Sequence, residues 1–283
     1  MKLQIFVLLY TLSFFCSCVT TEPYDYMHFA NKYLVAGYYD SAIREYTNGI
    51  KHYPDNYELY FARGKVYYFI GQYQKAVDDF NFVIIFAPTL IECYKLRGEA
   101  YLNLKNHDKA MEDFLHFLDI MPDNFPANFY MGMILYTKQN LSGSLIYLNK
   151  SIELDQSNID VYAYRGAVYF ELEKYTAALK DYNTAISLND KMPELYNSRG
   201  MVYEELKNYN DAFSDYSHAI LLDNENSTYY YNRSIVSSIM GDTNNALLDI
   251  NKAIELNPSD RDYYLQRITF LKELANSEEN DSK

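Results

Sequence analysis

Small and apolar positions recur along this chain with a fixed spacing of 34 residues, without insertion or deletion, from Pro23 to Asp260. Counted from Pro23, positions 4, 7, 8 and 11 of each repeat form one stripe with helical spacing, and positions 17, 20, 24, 27 and 28 form a second. Position 8 carries only small residues: Ala30, Gly64, Gly98, Gly132, Gly166, Gly200 and Ser234. The pattern predicts two amphipathic helices per repeat that approach closely where these small residues lie.

Residues that favour turns separate the two stripes of each repeat. The turn after the first stripe carries Gly or Asn in six repeats: Gly37, Gly71, Asn106, Asn140, Asn208 and Gly241. Both residue types tolerate the left-handed backbone conformation that ends a helix, and we expect these residues to adopt it. A proline closes several repeats, as at Pro54 and Pro88. Each repeat is therefore predicted to be helix, turn, helix, turn.

The spacing Tyr60-x-x-Arg63-Gly64-x-x-Tyr67, followed by Ala76, resembles the tetratricopeptide repeat. The resemblance implies an all-α fold: a right-handed α-solenoid of seven 34-residue helix-turn-helix repeats plus a C-terminal capping helix. The predicted repeats are 23–56, 57–90, 91–124, 125–158, 159–192, 193–226 and 227–260. A capping helix with a polar outer side is expected over 261–276, followed by a disordered tail over 277–283.

Arginine at position 7 and aspartate at position 23 occur together in the same five repeats. The pairs are Arg63 with Asp79, Arg97 with Asp113, Arg165 with Asp181, Arg199 with Asp215, and Arg233 with Asp249. Repeat four has neither charge and carries Met131 and Tyr147 instead. Because an unpaired buried charge is costly, we interpret these residues as structural ion pairs between helices, the alternative being a row of ligand-binding arginines. Pairing within a repeat and pairing to the arginine of the next repeat stay open, since each scheme gives five pairs.

The first residues of the chain have the features of an export signal. Lys2 precedes an apolar run that ends at Phe15 and is too short to span a bilayer. The segment Phe15-Cys16-Ser17-Cys18 resembles the end of a bacterial lipoprotein signal, which implies a signal over 1–18, lipidation of Cys18 (alternatively Cys16) and a tether over 19–22. We expect an exported protein anchored in the cell envelope. A soluble periplasmic or secreted protein and an uncleaved N-terminal anchor are the alternatives.

Charge and composition exclude several classes of function. The net charge of −13 repels phosphate backbones, so we expect no nucleic-acid partner. The five histidines are scattered without ligand spacing, and Cys93 stands alone on a predicted helix, where a buried thiol is expected. The sequence therefore predicts no catalytic site, metal or cofactor, and a protein that is not an enzyme.

The side of each first helix that is left free by the buried stripe is the candidate binding surface. In the tetratricopeptide repeat family this side lines a concave groove, and here it carries Phe61, Tyr68, Phe69, Phe129, Tyr130, Met133, Tyr136, Tyr164, Phe170, Glu194, Glu204 and Glu205. Exposed rings in a row are typical of an interaction surface. We therefore expect a partner peptide with apolar anchors and a basic flank. For Phe69 and Phe170 the alternative is that the rings tuck into neighbouring turns.

The resemblance implies a scaffold or adaptor that binds other proteins or peptides, here on the bacterial cell envelope. Two other functions remain open at this point. One is a secreted or surface-exposed adhesion or virulence factor. The other is an accessory subunit of an envelope enzyme complex.

Overall fold

The structure, a computed structural model, describes residues 22–281, which contain fifteen α-helices and no strand. The predicted all-α fold of paired helices is confirmed. The leader, with Cys16 and Cys18, and the tether residues through 21 lie outside the described residues, as do residues 282 and 283.

The helices follow the repeat without a shift. In chain order they are α1 (Pro23–Val35), α2 (Tyr39–His52), α3 (Tyr57–Phe69), α4 (Tyr73–Phe86), α5 (Ile91–Asn103), α6 (His107–Ile120), α7 (Phe125–Thr137), α8 (Leu141–Leu154), α9 (Ile159–Glu171), α10 (Tyr175–Leu188), α11 (Pro193–Glu205), α12 (Tyr209–Leu222), α13 (Ser227–Ile239), α14 (Thr243–Leu256) and α15 (Arg261–Asp281). Every first helix therefore begins at position 1 of its repeat, and every second helix begins at position 17.

The chain divides into two compact units, one through Ala110 and one from Met111 onward. In the first unit, α2 packs on α1 and α3, and α4 packs on α3 and α5. In the second unit, every second helix from α8 to α14 packs on the first helix of its own repeat and on the first helix that follows. One helix pair cannot cover its own apolar stripe, so the next pair covers it.

Within a repeat, the two helices meet where a small residue on the first faces a large side chain on the second. A Cβ added at Gly200 would lie 2.7 Å from a ring carbon of Tyr216, and one added at Gly132 would lie 2.7 Å from Leu148. Real Cβ atoms do not approach other atoms so closely, so a larger residue at either glycine would require the facing side chain or its helix to shift. This contact explains why position 8 stays small along the sequence.

The turn between the helices of each repeat has one geometry throughout. The residue at position 15 has a positive φ in all seven repeats: Gly37, Gly71, Lys105, Gln139, Glu173, Lys207 and Gly241. The next backbone N–H donates to the carbonyl five residues before it, as from Lys174 to Tyr169 (2.8 Å), which closes a Schellman turn.

The sequence prediction was therefore wrong by one position for the three asparagines. Asn106, Asn140 and Asn208 follow the left-handed residue and stand just before the second helix. The side chain of Asn140 accepts a hydrogen bond from the backbone N–H of Gly143 (3.0 Å), so this asparagine caps the start of a helix.

The last helix differs from its prediction in two ways. α15 continues to Asp281, so most of the segment expected to be disordered is helical. Its surface is also less polar than expected, since Leu265 and Leu271 are 62% and 50% exposed. On this helix, Glu273 accepts a hydrogen bond from the Ser238 hydroxyl on α13.

Glu173→Gly is expected to stabilise the protein. Glu173 has a φ of 57°, a conformation that costs an L-residue roughly 1–2 kcal/mol and glycine almost nothing. After the entropy cost of glycine, the gain in the free energy of unfolding is about 0.5–1 kcal/mol, measured by urea denaturation. Lys180→Gly, at an exposed position in the interior of α10, is the matched control and is expected to destabilise by a similar amount. Equal destabilisation by both substitutions would contradict the assigned turn.

Candidate functional site

The arginines and aspartates of the repeat form ion pairs within one repeat. In each, the arginine Nε and Nη2 atoms donate to the two carboxylate oxygens of the aspartate at 2.7–2.9 Å: Arg63 to Asp79, Arg165 to Asp181, Arg199 to Asp215, and Arg233 to Asp249. Glu45 occupies position 23 of repeat one and would pair with Arg63 in the second scheme, but its carboxylate lies 3.9 Å from Arg44 instead. The structure thus chooses between the two schemes that the sequence left open.

The fifth predicted pair is divided between the units. Arg97 lies in the first unit, where its Nη1 donates to Asn81 (2.7 Å), and Asp113 lies in the second. Asp113 is 3% exposed.

Each of these arginines has a further partner that sequence reasoning missed. The Nη1 atom donates to the polar side chain at position 25 of the preceding repeat: Arg63 to Thr47, Arg97 to Asn81, Arg165 to Asn149, Arg199 to Asn183, and Arg233 to Ser217. In repeat four, Met131 replaces the arginine, and position 25 of the preceding repeat is Leu115. The polar partner is therefore absent where the arginine is absent. That correlation was visible in the sequence.

The ion pairs are part of the framework of the repeat. The aspartates of the four pairs have side chains that are only 2–10% exposed. Each guanidinium also lies beside aromatic rings, as Arg199 does over Tyr196 and Tyr203 at 5.5 and 5.8 Å. With its donors shared between two second helices, the arginine has a structural role.

In the first unit, the three candidate groove residues have different environments. Phe61 is half-buried against Phe80, with ring centroids 6.1 Å apart. The Tyr68 hydroxyl donates to the Glu99 carboxylate at 2.9 Å. Phe69 is 70% exposed, so it does not tuck away, although its ring lies 5.2 Å from that of Tyr39.

In the second unit, the candidate rings of repeats four and five form one half-buried cluster. The Phe129 ring lies 6.0 Å from Tyr130 and 5.6 Å from Tyr164, and the Tyr136 ring lies 6.2 Å from Tyr164. Tyr130 also stacks on Phe114 at 5.5 Å. The rings therefore contribute to the packing of the helices and present only part of their surface to a partner.

Met133 and Phe170 are also half-buried. The Phe170 ring lies 5.8 Å from that of Tyr175, the first residue of α10. Phe170 thus packs at the neighbouring turn, as the alternative interpretation had it.

An apolar cleft of about 230 Å³ opens beside the aromatic cluster, between α7, α9 and α11. Tyr136, Tyr164, Met192 and Leu195 contribute its apolar walls, and Glu194 stands at its edge. Burial raises the pKa of both Tyr136 and Tyr164, and the nearby carboxylates of Glu171 and Asp160 respectively raise it further. These phenols are therefore neutral hydrogen-bonding groups at physiological pH.

The three candidate carboxylates on α11 are not equivalent. Glu194 and Glu205 are exposed, and Glu205 accepts a hydrogen bond of 3.4 Å from the Tyr175 hydroxyl. Glu204 differs from the expectation of a free groove carboxylate, since it turns toward α12 and accepts a hydrogen bond of 2.9 Å from Tyr216. Burial raises the pKa of Glu204; the bond from Tyr216 opposes this effect, and the charge of Glu205 adds to it.

No group of histidine, cysteine or acidic residues within the described range 22–281 is arranged to hold a metal ion. Cys93 is buried, as expected, and its thiol donates to the Phe80 carbonyl at 3.6 Å.

Family models of the tetratricopeptide repeat match the chain over residues 45–78, 91–124, 166–207, 193–226 and 227–260. Three of these windows coincide with repeats three, six and seven as defined from the sequence. No curated protein sequence matches the chain significantly.

Many solved structures are similar to this one. A tetratricopeptide repeat protein from Parabacteroides merdae superposes with a TM-score of 0.62 at 17% identity, over 88% of this chain and 98% of that one. PilF of Pseudomonas aeruginosa gives 0.62 at 16% identity, over 77% and 97% of the two chains. YrrB, a protein of the same repeat class with an unusual peptide-binding site, gives 0.58 at 18% identity, over 68% and 97%. At these identities the likeness establishes the fold alone.

Asp181→Asn is expected to lower the free energy of unfolding by about 3 kcal/mol, because it leaves the Arg165 guanidinium half-buried without its carboxylate. The exposed Asp160→Asn is the matched control and is expected to change stability by less than about 0.5 kcal/mol. A triple variant that copies repeat four (Arg165→Met, Asp181→Tyr, Asn149→Leu) is expected to lose less than Asp181→Asn alone. Urea denaturation measures all three, and an unchanged midpoint for Asp181→Asn would contradict the structural role.

Proposed function

Because the chain belongs to the tetratricopeptide repeat family, and is in that respect a protein-interaction scaffold, we propose that it binds a segment of a partner protein on the first-helix face of its second unit. This face consists of positions 2, 5, 6, 9, 12 and 13 of α7, α9 and α11. The observation that carries the proposal is the cleft between Tyr136, Tyr164 and Met192, next to a cluster of half-buried rings.

The cleft suits an apolar anchor of the partner. Tyrosine and phenylalanine rings that are already packed lose little side-chain entropy on binding and are typical of interaction hot spots. The Tyr136 and Tyr164 rings meet edge to face at 82°, so the walls of the cleft are positioned before a partner arrives.

The charge on this face favours a basic partner segment. Asp160, Glu171, Glu194 and Glu205 are exposed there, and the same positions of α9 and α11 carry no lysine or arginine. Complementary charges raise the rate of encounter and disfavour acidic partners, nucleic acid among them. The peptide-binding site of YrrB supports the choice of a peptide ligand.

We further propose that the protein is exported and held at the cell envelope by a lipid on Cys18. The support comes from the sequence, where a basic start, a short apolar run and Ser17 precede this cysteine. Within residues 22–281, no helix is long and apolar enough to cross a bilayer. The lipid would give the scaffold a fixed place on the membrane while leaving its repeats free to bind.

Photo-crosslinking in cells tests the binding face. A benzophenone amino acid placed at Met201 or Ser198, on α11, is expected to capture a discrete partner, identified by mass spectrometry. The control positions are the exposed Thr176 and Lys180 on α10, which is a second helix, and both are expected to give no such product. Adding Glu194→Lys to the Met201 probe is expected to lower the yield by about tenfold through charge repulsion with the basic segment. Equal products from both sets of positions would refute the assignment of this face.

Lipidation is tested by labelling cells with a radioactive fatty acid. Cys18→Ser is expected to abolish incorporation and release the protein from the membrane fraction, and globomycin is expected to block processing. Cys16→Ser is the matched control, and this variant is expected to incorporate the label and to remain in the membrane fraction. The opposite pattern would assign the lipid to Cys16, and label in neither protein would end the proposal.

A further inference from the structure

A second cleft lies at repeat four, away from the first-helix face. Residues of the second helices α6 and α8 line it, together with Asn128 of α7. Its volume is about 500 Å³, far more than the roughly 30 Å³ that one water occupies. Leu118, Pro122, Asn128 and Tyr147 contribute to its floor and walls. It is contained in the second unit and shares no residue with the first-helix face.

In other repeats this place is filled by the tyrosine at position 4. There the phenol donates a hydrogen bond to the carbonyl at position 32 of the preceding repeat: Tyr162 to Gln156 (3.2 Å), Tyr230 to Asn224 (3.3 Å) and Tyr264 to Pro258 (3.2 Å). In repeat four, Asn128 donates to the corresponding carbonyl, that of Pro122, at 2.8 Å. The asparagine side chain thus makes the same hydrogen bond as the tyrosine hydroxyl. Because it has no aromatic ring, the space that the ring occupies in the other repeats is empty here.

The arginine that lies beside this ring elsewhere is also missing. Met131 replaces the arginine, and Tyr147 replaces its aspartate. Repeat four therefore has no guanidinium group at the place where the arginine of the other repeats lies over the tyrosine ring.

The rim of the cleft carries two exposed aliphatic side chains, one of them at a position that is polar in every other repeat. Leu115 is 45% exposed and Ile146 is 67% exposed. The residues equivalent to Leu115 are all polar: Thr47, Asn81, Asn149, Asn183, Ser217 and Asn251. Two exposed aliphatic side chains beside an empty ring-sized space are typical of a binding site for an apolar group.

The charges around the cleft are mostly negative. Asp119 and Glu153 line it, and Lys150 is held by Asp123 at 2.7 Å and lies 3.7 Å from Glu153. Two carboxylates thus lie beside the one ammonium group, and Asp119 adds a further negative charge to the lining, which favours a cation beside the bound group.

We propose that this cleft binds an aromatic side chain of a partner protein, flanked by a basic residue, which takes the place of the tyrosine and arginine that repeat four lacks. The ring would lie on Leu118 and Asn128, between Leu115 and Ile146. This second contact would allow the scaffold to hold two protein segments at once, one on each side of the second unit.

The probe is the peptide acetyl-Lys-Tyr-Lys-amide, titrated into the ¹⁵N-labelled protein and followed by NMR. The amide signals of Leu118, Ile146 and Lys150 are expected to shift, and acetyl-Lys-Ala-Lys-amide is expected to bind at least tenfold more weakly. Shifts confined to α9 and α11, or equal affinity for the two peptides, would overturn the proposal.

Asn128→Tyr fills the cleft with the residue that the other repeats use, and it is expected to weaken the peptide at least tenfold. Leu115→Asn, at an exposed position, is the second variant; it restores the polar rim, is expected to weaken binding severalfold, and keeps the test decisive if Asn128→Tyr fails to fold. Leu221→Asn, at an exposed position of α12 outside both clefts, is the control and is expected to leave this binding unchanged. Unchanged affinity in a folded Asn128→Tyr or Leu115→Asn variant would refute the site, whatever the result of crosslinking on the first-helix face.

Discussion

The close approach of two helices at a small residue is the contact on which the rest of this structure depends. Gly200 lies under the ring of Tyr216, and Gly132 lies under Leu148, with no space for a Cβ at either glycine. This approach fixes the distance between the helices of a repeat, and with it the width of the apolar surface that the next repeat must cover. At these two glycines a larger residue would require the facing side chain or its helix to shift.

The arginine at position 7 adds a polar connection between successive repeats. Arg165 joins Asp181 of its own repeat to Asn149 of the preceding one. Losing one member leaves a buried group unpaired, whereas replacing the whole set by apolar residues is tolerated. Repeat four shows the second case. Met131 replaces its arginine, Tyr147 replaces the aspartate, and Leu115 replaces the polar partner in the preceding repeat. The result is a repeat with the same helices but a different surface.

Because the buried stripes are committed to packing, binding depends on the side chains between them. In the second unit some rings serve both purposes: Tyr164 packs against Phe129 and Tyr136, and it also lines an open cleft. Such half-buried rings hold their conformation in the absence of a partner, which lowers the entropy cost of binding. The acidic residues around them supply charge without contributing to the core.

The sequence by itself determined the helices, their order and the existence of the ion pairs, because each depends on the spacing of side chains along one helix or on residues that change together. Only the tertiary structure decided which aspartate each arginine meets, since two schemes fitted the sequence equally well. The same holds for Glu204, whose bond to Tyr216 depends on the distance between α11 and α12. The left-handed residue, one position before Asn140, is likewise set by closure of the turn. The cleft at Asn128 appears only when the helices around it are in place, because an empty volume is defined by the atoms that surround it and leaves no local pattern in the chain.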